Sequence, residues 1–297
     1  MQTKFFRWYG GKLRMLDKLE ALIPEHQIYI EPFVGSGALA LNHIRSPVEI
    51  INDLDGDIAN LFRVMSDRVQ GKELIERLTH VKYSREIFNA VREEQKNSFI
   101  GYNSIEKAVL TYILISQSFN AARSSFSKGG YSSTELYHQD MLDNLPKVYE
   151  RLEGMEIYNA DALDLLSCYT DNEEVFAFLD PPYRHELRGR NANRVYKCEL
   201  DELQQIKLLR TIRNAQAKVL LCGYKAEDGI DLYDAYLLPY GWKCYKLVDI
   251  PKSAQNRETK DIAQEYIWCN YELPIWAGYY ISLKEYSTLE NIMGGSR

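Results

Sequence analysis

Apolar and polar positions along the chain follow two rhythms. Short apolar runs bounded by turn residues, the pattern of buried strands, recur around Tyr29, at Val48-Glu49-Ile50-Ile51, from Met155 to Tyr158, from Val175 to Leu179 and from Val219 to Leu221. A glycine turn and a helix-forming stretch separate the first two, so Tyr29 to Leu54 reads as a βαβ unit. A helix over about Asp201 to Asn214 gives Glu153 to Leu221 the same rhythm. The fold class this predicts is α/β with a parallel sheet. Trp242 to Ile250 and Glu265 to Tyr271 read as two more strands, suited to an antiparallel pair at a sheet edge.

From Ile58 to Arg151 the rhythm changes to a helical one, with Leu110, Ile113, Leu114 and Gln117-Ser118 extending one helix face. This divides the chain into a catalytic domain of residues 1–57 and 152–297 and an inserted, mainly helical domain of residues 58–151. Inside the insertion, Phe119 to Ser133 (FNAARSSFSKGGYSS) breaks the pattern with five serines, a Gly129-Gly130 pair and interleaved aromatics, and is expected to be an exposed loop or hairpin.

At 297 residues with 45% hydrophobic and 26% charged positions, the chain has the composition of a globular protein with a sizeable core. No apolar run approaches the roughly 18 residues of a membrane span, and the start, MQTKFFRWYGGK, lacks the features of a signal peptide, so a cytoplasmic protein with no membrane association is expected. The five cysteines are widely spaced, which predicts reduced core residues, and the histidines are scattered without His-Glu-x-x-His, so no metal is expected. A formal charge of −6 argues against a generally basic coat and leaves room for a local basic groove.

Ile30-Glu31-Pro32-Phe33-Val34-Gly35-Ser36-Gly37-Ala38-Leu39 puts two glycines at the carboxyl end of the first strand. There the backbone can approach a nucleotide-like cofactor, and the amides of a following helix can meet negative charge. Asp53, at the end of the next strand, is suited to accept hydrogen bonds from ribose hydroxyls. A tight strand-to-helix turn with no ligand would show the same glycines.

Asp180-Pro181-Pro182-Tyr183 directly follows the apolar strand Val175 to Leu179. By average composition such a tetrapeptide arises by chance in roughly one chain of this length in a thousand. A rigid turn explains the prolines but not the acid before them and the aromatic after. The tetrapeptide suits methylation of an exocyclic base amine, whose lone pair is delocalised into the ring. The Asp180 carboxylate and the Pro181 carbonyl can accept the two amine hydrogens and favour the nucleophilic form, while Tyr183 stacks on a base that has left the helix.

These residues resemble the S-adenosylmethionine-dependent amino-methyltransferases, in particular the alpha-group DNA adenine-N6 methyltransferases of the Dam type, over nearly the whole chain. Arg7-Trp8-Tyr9-Gly10-Gly11-Lys12 resembles the family's N-terminal motif, Glu31 to Gly37 its cofactor loop, Asn52-Asp53 its ribose-binding acid, Asn159-Ala160-Asp161 its adenine-contacting acid, and Asp180 to Tyr183 its catalytic motif. The resemblance implies a Rossmann-like seven-stranded methyltransferase sheet with an inserted target-recognition domain. It implies a cofactor pocket lined by Trp8, Tyr9, Lys12, Phe33, Gly35, Gly37, Asp53, Asp161 and Asp180, with Lys12 pairing the methionine carboxylate. Phe119-Asn120-Ala121-Ala122-Arg123 is similar to the family's recognition segment, where Asn and Arg reach double-stranded DNA, although Ala121-Ala122 stands where members often carry Gly-Leu. A cognate restriction endonuclease is a candidate partner.

Weaker signals extend the DNA-contacting set. Arg184, Arg188, Arg190, Arg194 and Lys197 face a single acid, Glu186, in one segment beside the catalytic motif, and could follow phosphates or form a solvated loop. Tyr196 within it could wall the base pocket or pack at the next helix. Arg123 and Lys128 have no acidic neighbours in their loop, and Arg123 could read a guanine edge or bind phosphate, with Ser124 serving phosphates. Among competing functions, an RNA adenine methyltransferase would need 2′-hydroxyl or single-strand recognition. A Rossmann dehydrogenase leaves Asp180 to Tyr183 unexplained, and a non-catalytic DNA-binding module leaves the filled catalytic positions unexplained.

Overall fold

The structure, a computed structural model, describes residues 2–127, 131–187, 198–226, 230–251, 262–281 and 285–287. In chain order its first half holds α1 (Leu16–Glu20), β1 (Ile28–Glu31), β2 (Val48–Asn52), α2 (Gly56–Ser66), α3 (Gln70–Thr79), α4 (Arg85–Lys96), α5 (Ser104–Ser116) and α6 (Tyr131–Leu152). There follow β3 (Glu156–Tyr158), α7 (Ala162–Ser167), β4 (Val175–Leu179), α8 (Glu202–Ile212), β5 (Lys218–Tyr224), α9 (Leu232–Leu237), β6 (Lys243–Pro251), β7 (Ile262–Cys269) and β8 (Glu285–Ser287). This is the mixed α/β, Rossmann-like architecture expected. The seven strands β1 to β7 are joined by β8, a short addition that the sequence pattern did not reveal.

The chain divides into two compact units. One comprises Met1–Arg14, Val34–Ile44 and Glu49–Ala160, the other Met15–Phe33, Arg45–Val48 and Asp161–Arg297. In the first unit β2 and β3 pair in parallel, with Asn52 opposite Tyr158. There α2 packs against α3, α5 and α6. Asp55 caps α2 by accepting from the Asp57 amide, and Asn103 and Glu106 form a reciprocal capping box on α5. Arg151 near the end of α6 makes a bidentate pair with the buried Glu49 of β2, both bonds 2.6 Å, which ties the last helix of the unit to its strand.

In the second unit the strand order is β1-β4-β5-β7-β6-β8. β1, β4 and β5 are parallel, while β7 enters antiparallel between β5 and β6. Every residue of β4 is buried, as a strand covered on both faces requires. Asp201 and Gln204 form the capping box of α8, whose inner face is Gln205, Leu208, Leu209 and Ile212. On β7 the buried Trp268 donates from Nε1 to Asp234 at 2.8 Å.

Three local expectations are corrected. The stretch after the glycine turn is not a regular helix: only turns run from Gly35 to Asn42. The Asn42 side chain takes the Ala38 carbonyl at 2.8 Å and the Thr3 carbonyl at 2.9 Å in place of helical continuation, and Pro47 lies just beyond. The serine-rich segment is shorter than its composition suggests, because α6 already begins at Tyr131. Serine is tolerated in a first helical turn, where backbone N–H groups lack intrahelical partners. Of the cysteines expected in the core, Cys222, Cys244 and Cys269 are buried, but Cys168 is exposed and Cys198 half-buried.

Candidate active site

The glycine turn belongs to the first unit, and its shape is set by backbone and close packing. Gly35 and Gly37 both have left-handed φ, +50° and +67°. A Cβ on Gly35 would lie 2.6 Å from the Trp8 Nε1, so this position needs glycine twice over. The Val34 amide donates to the Asn52 carbonyl at 2.9 Å, which anchors the turn to the end of β2. Asp53 follows, with one carboxylate oxygen accepting the Gly35 amide at 3.0 Å and the other the Asp55 amide at 2.9 Å. Burial, opposed by those amides, pushes the Asp53 carboxyl up to about 6.

Asn159 and Ala160 fasten onto the same strand end. Asn159 donates to the Asp53 carbonyl at 2.8 Å, and Asn52 exchanges hydrogen bonds with the Ala160 backbone at 2.9 and 3.1 Å. Trp8 and Tyr9 are half-buried, and Lys12 is buried with its Nζ donating to the Gly10 carbonyl at 3.1 Å. The structure therefore brings Trp8, Gly35 and Asp53 together in one unit. In the other unit, Phe33 is half-buried just beyond β1, and Asp161 is an exposed N-cap of α7 accepting the Leu163 amide at 2.8 Å.

Within the first unit, Asp53 and Lys12 have the chemistry that the ribose and carboxylate of S-adenosylmethionine would require. Each Asp53 oxygen accepts one amide, and a carboxylate has about four acceptor sites, so the amides orient the group and leave capacity for two ribose hydroxyls. The buried Lys12 carries the charge needed opposite a methionine carboxylate.

In the second unit Asp180 sits half-buried directly at the carboxyl end of β4. Pro181 is buried, and the Pro182 carbonyl accepts from Gln205 Nε2 at 2.8 Å. Gln205 is held in turn by the Tyr233 hydroxyl at 2.6 Å. Tyr183 donates its hydroxyl to Glu265 of β7 and meets Tyr224 edge-on, ring centres 4.6 Å apart. Burial, then the nearby Asp180 and Glu265 carboxylates, hold the Tyr183 phenol well above its ordinary value, so it stays a neutral donor. The Asp180 to Tyr183 tetrapeptide is thus gripped at Pro182 by a helix and at Tyr183 by a strand.

Glu265, Tyr224 and Gln205 were not anticipated in these roles, yet two of them left a sequence signal. Glu265 is an acid in the otherwise apolar run Glu265 to Cys269, and Gln205 occupies the core-facing position of α8 in register with Leu208, Leu209 and Ile212.

Two of the arginines expected at DNA, Arg123 and Arg184, are engaged internally. Arg123 is nine-tenths buried, its guanidinium 2.9 Å from Asp55 and 3.5 Å from Asp57. Sequence distance hid these acids, because they are far from the loop along the chain and adjacent in the fold. Arg184 pairs with the fully buried Asp231, donates to the Tyr224 carbonyl at 3.2 Å and lies over the Tyr233 ring at 5.1 Å. It directly follows the Asp180 to Tyr183 segment, and its side chain is only 7% exposed. Ser124 is exposed, in a hairpin closed by a bridge between Ser118 and Phe126. Asn120 lies in the turn Phe119–Ala121, while Lys128, Arg188 and Tyr196 lie outside the described residues.

Among the described residues no group of three or more His, Cys, Asp or Glu side chains is arranged to hold a metal ion. No described helix is long and apolar enough to cross a membrane.

The chain is 25% identical over 307 residues to the Type II methyltransferase M.MjaIII of Methanocaldococcus jannaschii, covering 91% of this chain and 100% of that protein. It is 26% identical over 190 residues to the Type II methyltransferase M1.LlaDCHI of Lactococcus lactis subsp. cremoris, covering 60% of this chain and 65% of that one. It is 27% identical over 195 residues to the DNA adenine methylase of Escherichia coli K12, covering 60% and 64%. The family described as D12 class N6 adenine-specific DNA methyltransferase matches residues 8–247, a span that includes the glycine turn, Asp53 and the whole Asp180 to Tyr183 motif. The chain belongs to the D12 class of N6 adenine-specific DNA methyltransferases.

Proposed function

We propose that this protein methylates N6 of an adenine flipped out of duplex DNA, with S-adenosylmethionine as donor. The observation that carries the reading is the clamped Asp180 to Tyr183 segment, in which Gln205 fixes the Pro182 carbonyl and Glu265 fixes the Tyr183 hydroxyl. Such preorganisation is what stabilisation of a developing charge requires, because nothing has to reorient as the reaction proceeds.

Trp8, Tyr9, Lys12, Phe33, Gly35, Gly37, Asp53 and Asp161 would hold the cofactor, which supplies an electrophilic methyl group on a sulfonium. The Asp180 carboxylate and the Pro181 carbonyl accept the two N6 hydrogens and draw the nitrogen lone pair out of the ring. Tyr183 stacks on the base, kept in place through its hydroxyl. Asp180 would stabilise the positive charge that N6 acquires on taking up the methyl group. The excess proton leaves afterwards by way of that carboxylate, since a neutral adenine amine is far too weak an acid to be deprotonated first.

Residues 58–151 act as the target-recognition domain in this reading. Its contact surface is the Ser118 to Phe126 hairpin, where Phe119 is 52% exposed and Ser124 is exposed beside it. Arg184 is assigned to bracing the active site. The protein works where DNA is, in the cytoplasm, and the Type II names of two relatives support a partner endonuclease sharing its target.

The test is to incubate the protein and S-adenosylmethionine with duplex DNA and with RNA, then map methylation base by base. N6-methyladenine at one recurring DNA sequence is expected. Methylation of RNA alone, or of no adenine, overturns the reading.

A further inference from the structure

Arg123 does more in the first unit than fold back on itself. From it a closed circuit of contacts can be followed. Its guanidinium lies 2.9 Å from the Asp55 carboxylate. The Asp55 amide donates to Asp53 at 2.9 Å, and the other Asp53 oxygen takes the Gly35 amide at 3.0 Å. Gly35 is packed against the Trp8 indole so closely that no Cβ fits between them. The circuit closes where the Arg123 guanidinium stacks 5.8 Å above the Trp8 ring.

The recognition segment accepts strain to keep Arg123 there. Arg123 has φ +56° and Ala121 has φ +59°, left-handed conformations that are strained for non-glycine residues. The Arg123 amide is pinned by the Ser118 hydroxyl at 3.1 Å, so the strained turn is held from both its backbone and its side chain. Both terminal guanidinium nitrogens are buried, and neither makes a hydrogen bond of good geometry. They hold Asp55 and Asp57 by charge and keep directional donors in reserve. A ligand that draws Asp53 and Asp55 into a single geometry can bring those donors into line and tighten the pair. The same guanidinium charge favours the ionised form of Asp53.

We propose that Arg123 is a positioning residue that couples the recognition hairpin to the cofactor loop, so that cofactor binding and DNA recognition strengthen each other. The proposal rests on the reading of Gly35 and Asp53 as cofactor residues. It replaces a base-reading Arg123 with one that stays docked and presents its neighbours Phe119 and Ser124 in a fixed conformation. Coupling between two ligands is reciprocal, so it can be read from either side.

The experiment measures the affinity for S-adenosylhomocysteine, which cannot react, with and without a saturating duplex oligonucleotide carrying the mapped target. Wild type should bind it about tenfold more tightly with DNA present, within the usual range of allosteric coupling. Arg123→Ala should bring that factor to within about twofold of unity, and Arg123→Lys, which keeps the charge without the fork, should fall between. Asp57→Asn attacks the latch from its other side and should lower the factor while leaving the recognition hairpin's own sequence intact. A coupling factor undiminished in Arg123→Ala and Asp57→Asn, or no coupling in wild type, overturns the proposal alone. Failure of wild type to bind S-adenosylhomocysteine under any condition overturns the cofactor reading with it. A ligand-free double-mutant cycle between Arg123→Ala and Asp55→Asn, in which Asn still caps α2, should show an interaction in thermal unfolding, and strict additivity counts against the latch.

Discussion

Tyr183 and Glu265, 82 positions apart in the chain, are joined by a hydrogen bond that fixes the one aromatic ring of the Asp180 to Tyr183 segment against β7. Glu265→Ala should lower methyl transfer about 10- to 100-fold, the range for losing a hydrogen bond to a charged group, with cofactor affinity nearly unchanged. Glu265→Gln retains an acceptor and should recover most of the rate. Single-turnover methylation alongside cofactor titration checks this, and an unimpaired Glu265→Ala would make the bond incidental.

Asp180→Ala should reduce single-turnover methylation of duplex DNA by about two to three powers of ten, as loss of a preorganised electrostatic partner does. Asp180→Asn keeps the shape and one acceptor oxygen but loses the charge beside the developing ammonium, and should also be severely impaired. Cofactor affinity should largely survive in both. Near-wild-type transfer by Asp180→Ala would reduce Asp180 to Tyr183 to a turn.

With Asp53 as the proposed ribose-binding acid, cofactor binding should be pH-dependent. Its carboxyl is raised from 3.8 to about 6, so the ionised form, the one proposed to accept ribose hydroxyls, dominates only above that pH. Affinity should therefore weaken as pH falls through about 6. The native carboxyl also holds its proton more tightly than the unfolded chain does. Its contribution to stability is present below 3.8 and lost as pH rises through about 6. Asp53→Ala should weaken cofactor binding by about 1–3 kcal/mol and remove the pH dependence. Calorimetry between pH 5 and 8, as a rough window around that value, decides it.

Arg184 is a brace, and its loss should read out as stability. Its side chain is 7% exposed and that of its partner Asp231 is 0%, so Arg184→Ala leaves a buried carboxylate unpaired, a change that costs about 3–5 kcal/mol. Denaturant unfolding measures this. The salt dependence of DNA binding should stay as in wild type, whereas removal of a phosphate contact would lower its slope by about one unit.

Strand cores, and the place of Asp180 to Tyr183 at the end of one of them, were legible in the sequence because their signals are local. β4 was expected from Val175 to Leu179 and lies there, and the antiparallel strands near Trp242 and Glu265 pair with each other as β6 and β7. The helix Asp201 to Asn214 corresponds to α8 with Asp201 as its cap. What escaped depends on residues far apart along the chain. Nothing near Arg123 shows that Asp55 and Asp57 neutralise it, and nothing near Arg184 shows that Asp231 does. A loop free of acids looks available for DNA until folding brings acids to it. The glycine turn was legible as a turn, but not the side-chain bonds of Asn42 that stop a helix from following it.

The position of β7 between β5 and β6 has a consequence for how the enzyme is made. β7 follows β6 in the chain, so a ribosome releases both neighbours before the strand that joins them. Until Ile262 to Cys269 emerges, the edges of β5 and β6 that β7 will occupy are unpaired, and such edges invite association with other chains. The acid that anchors Tyr183 arrives on that same strand. Closing the sheet and fixing the Tyr183 ring are therefore one late event. A nascent chain that has folded its cofactor loop still lacks a fixed catalytic ring, and ribosome-bound chains stalled before Ile262 should bind cofactor without methylating DNA.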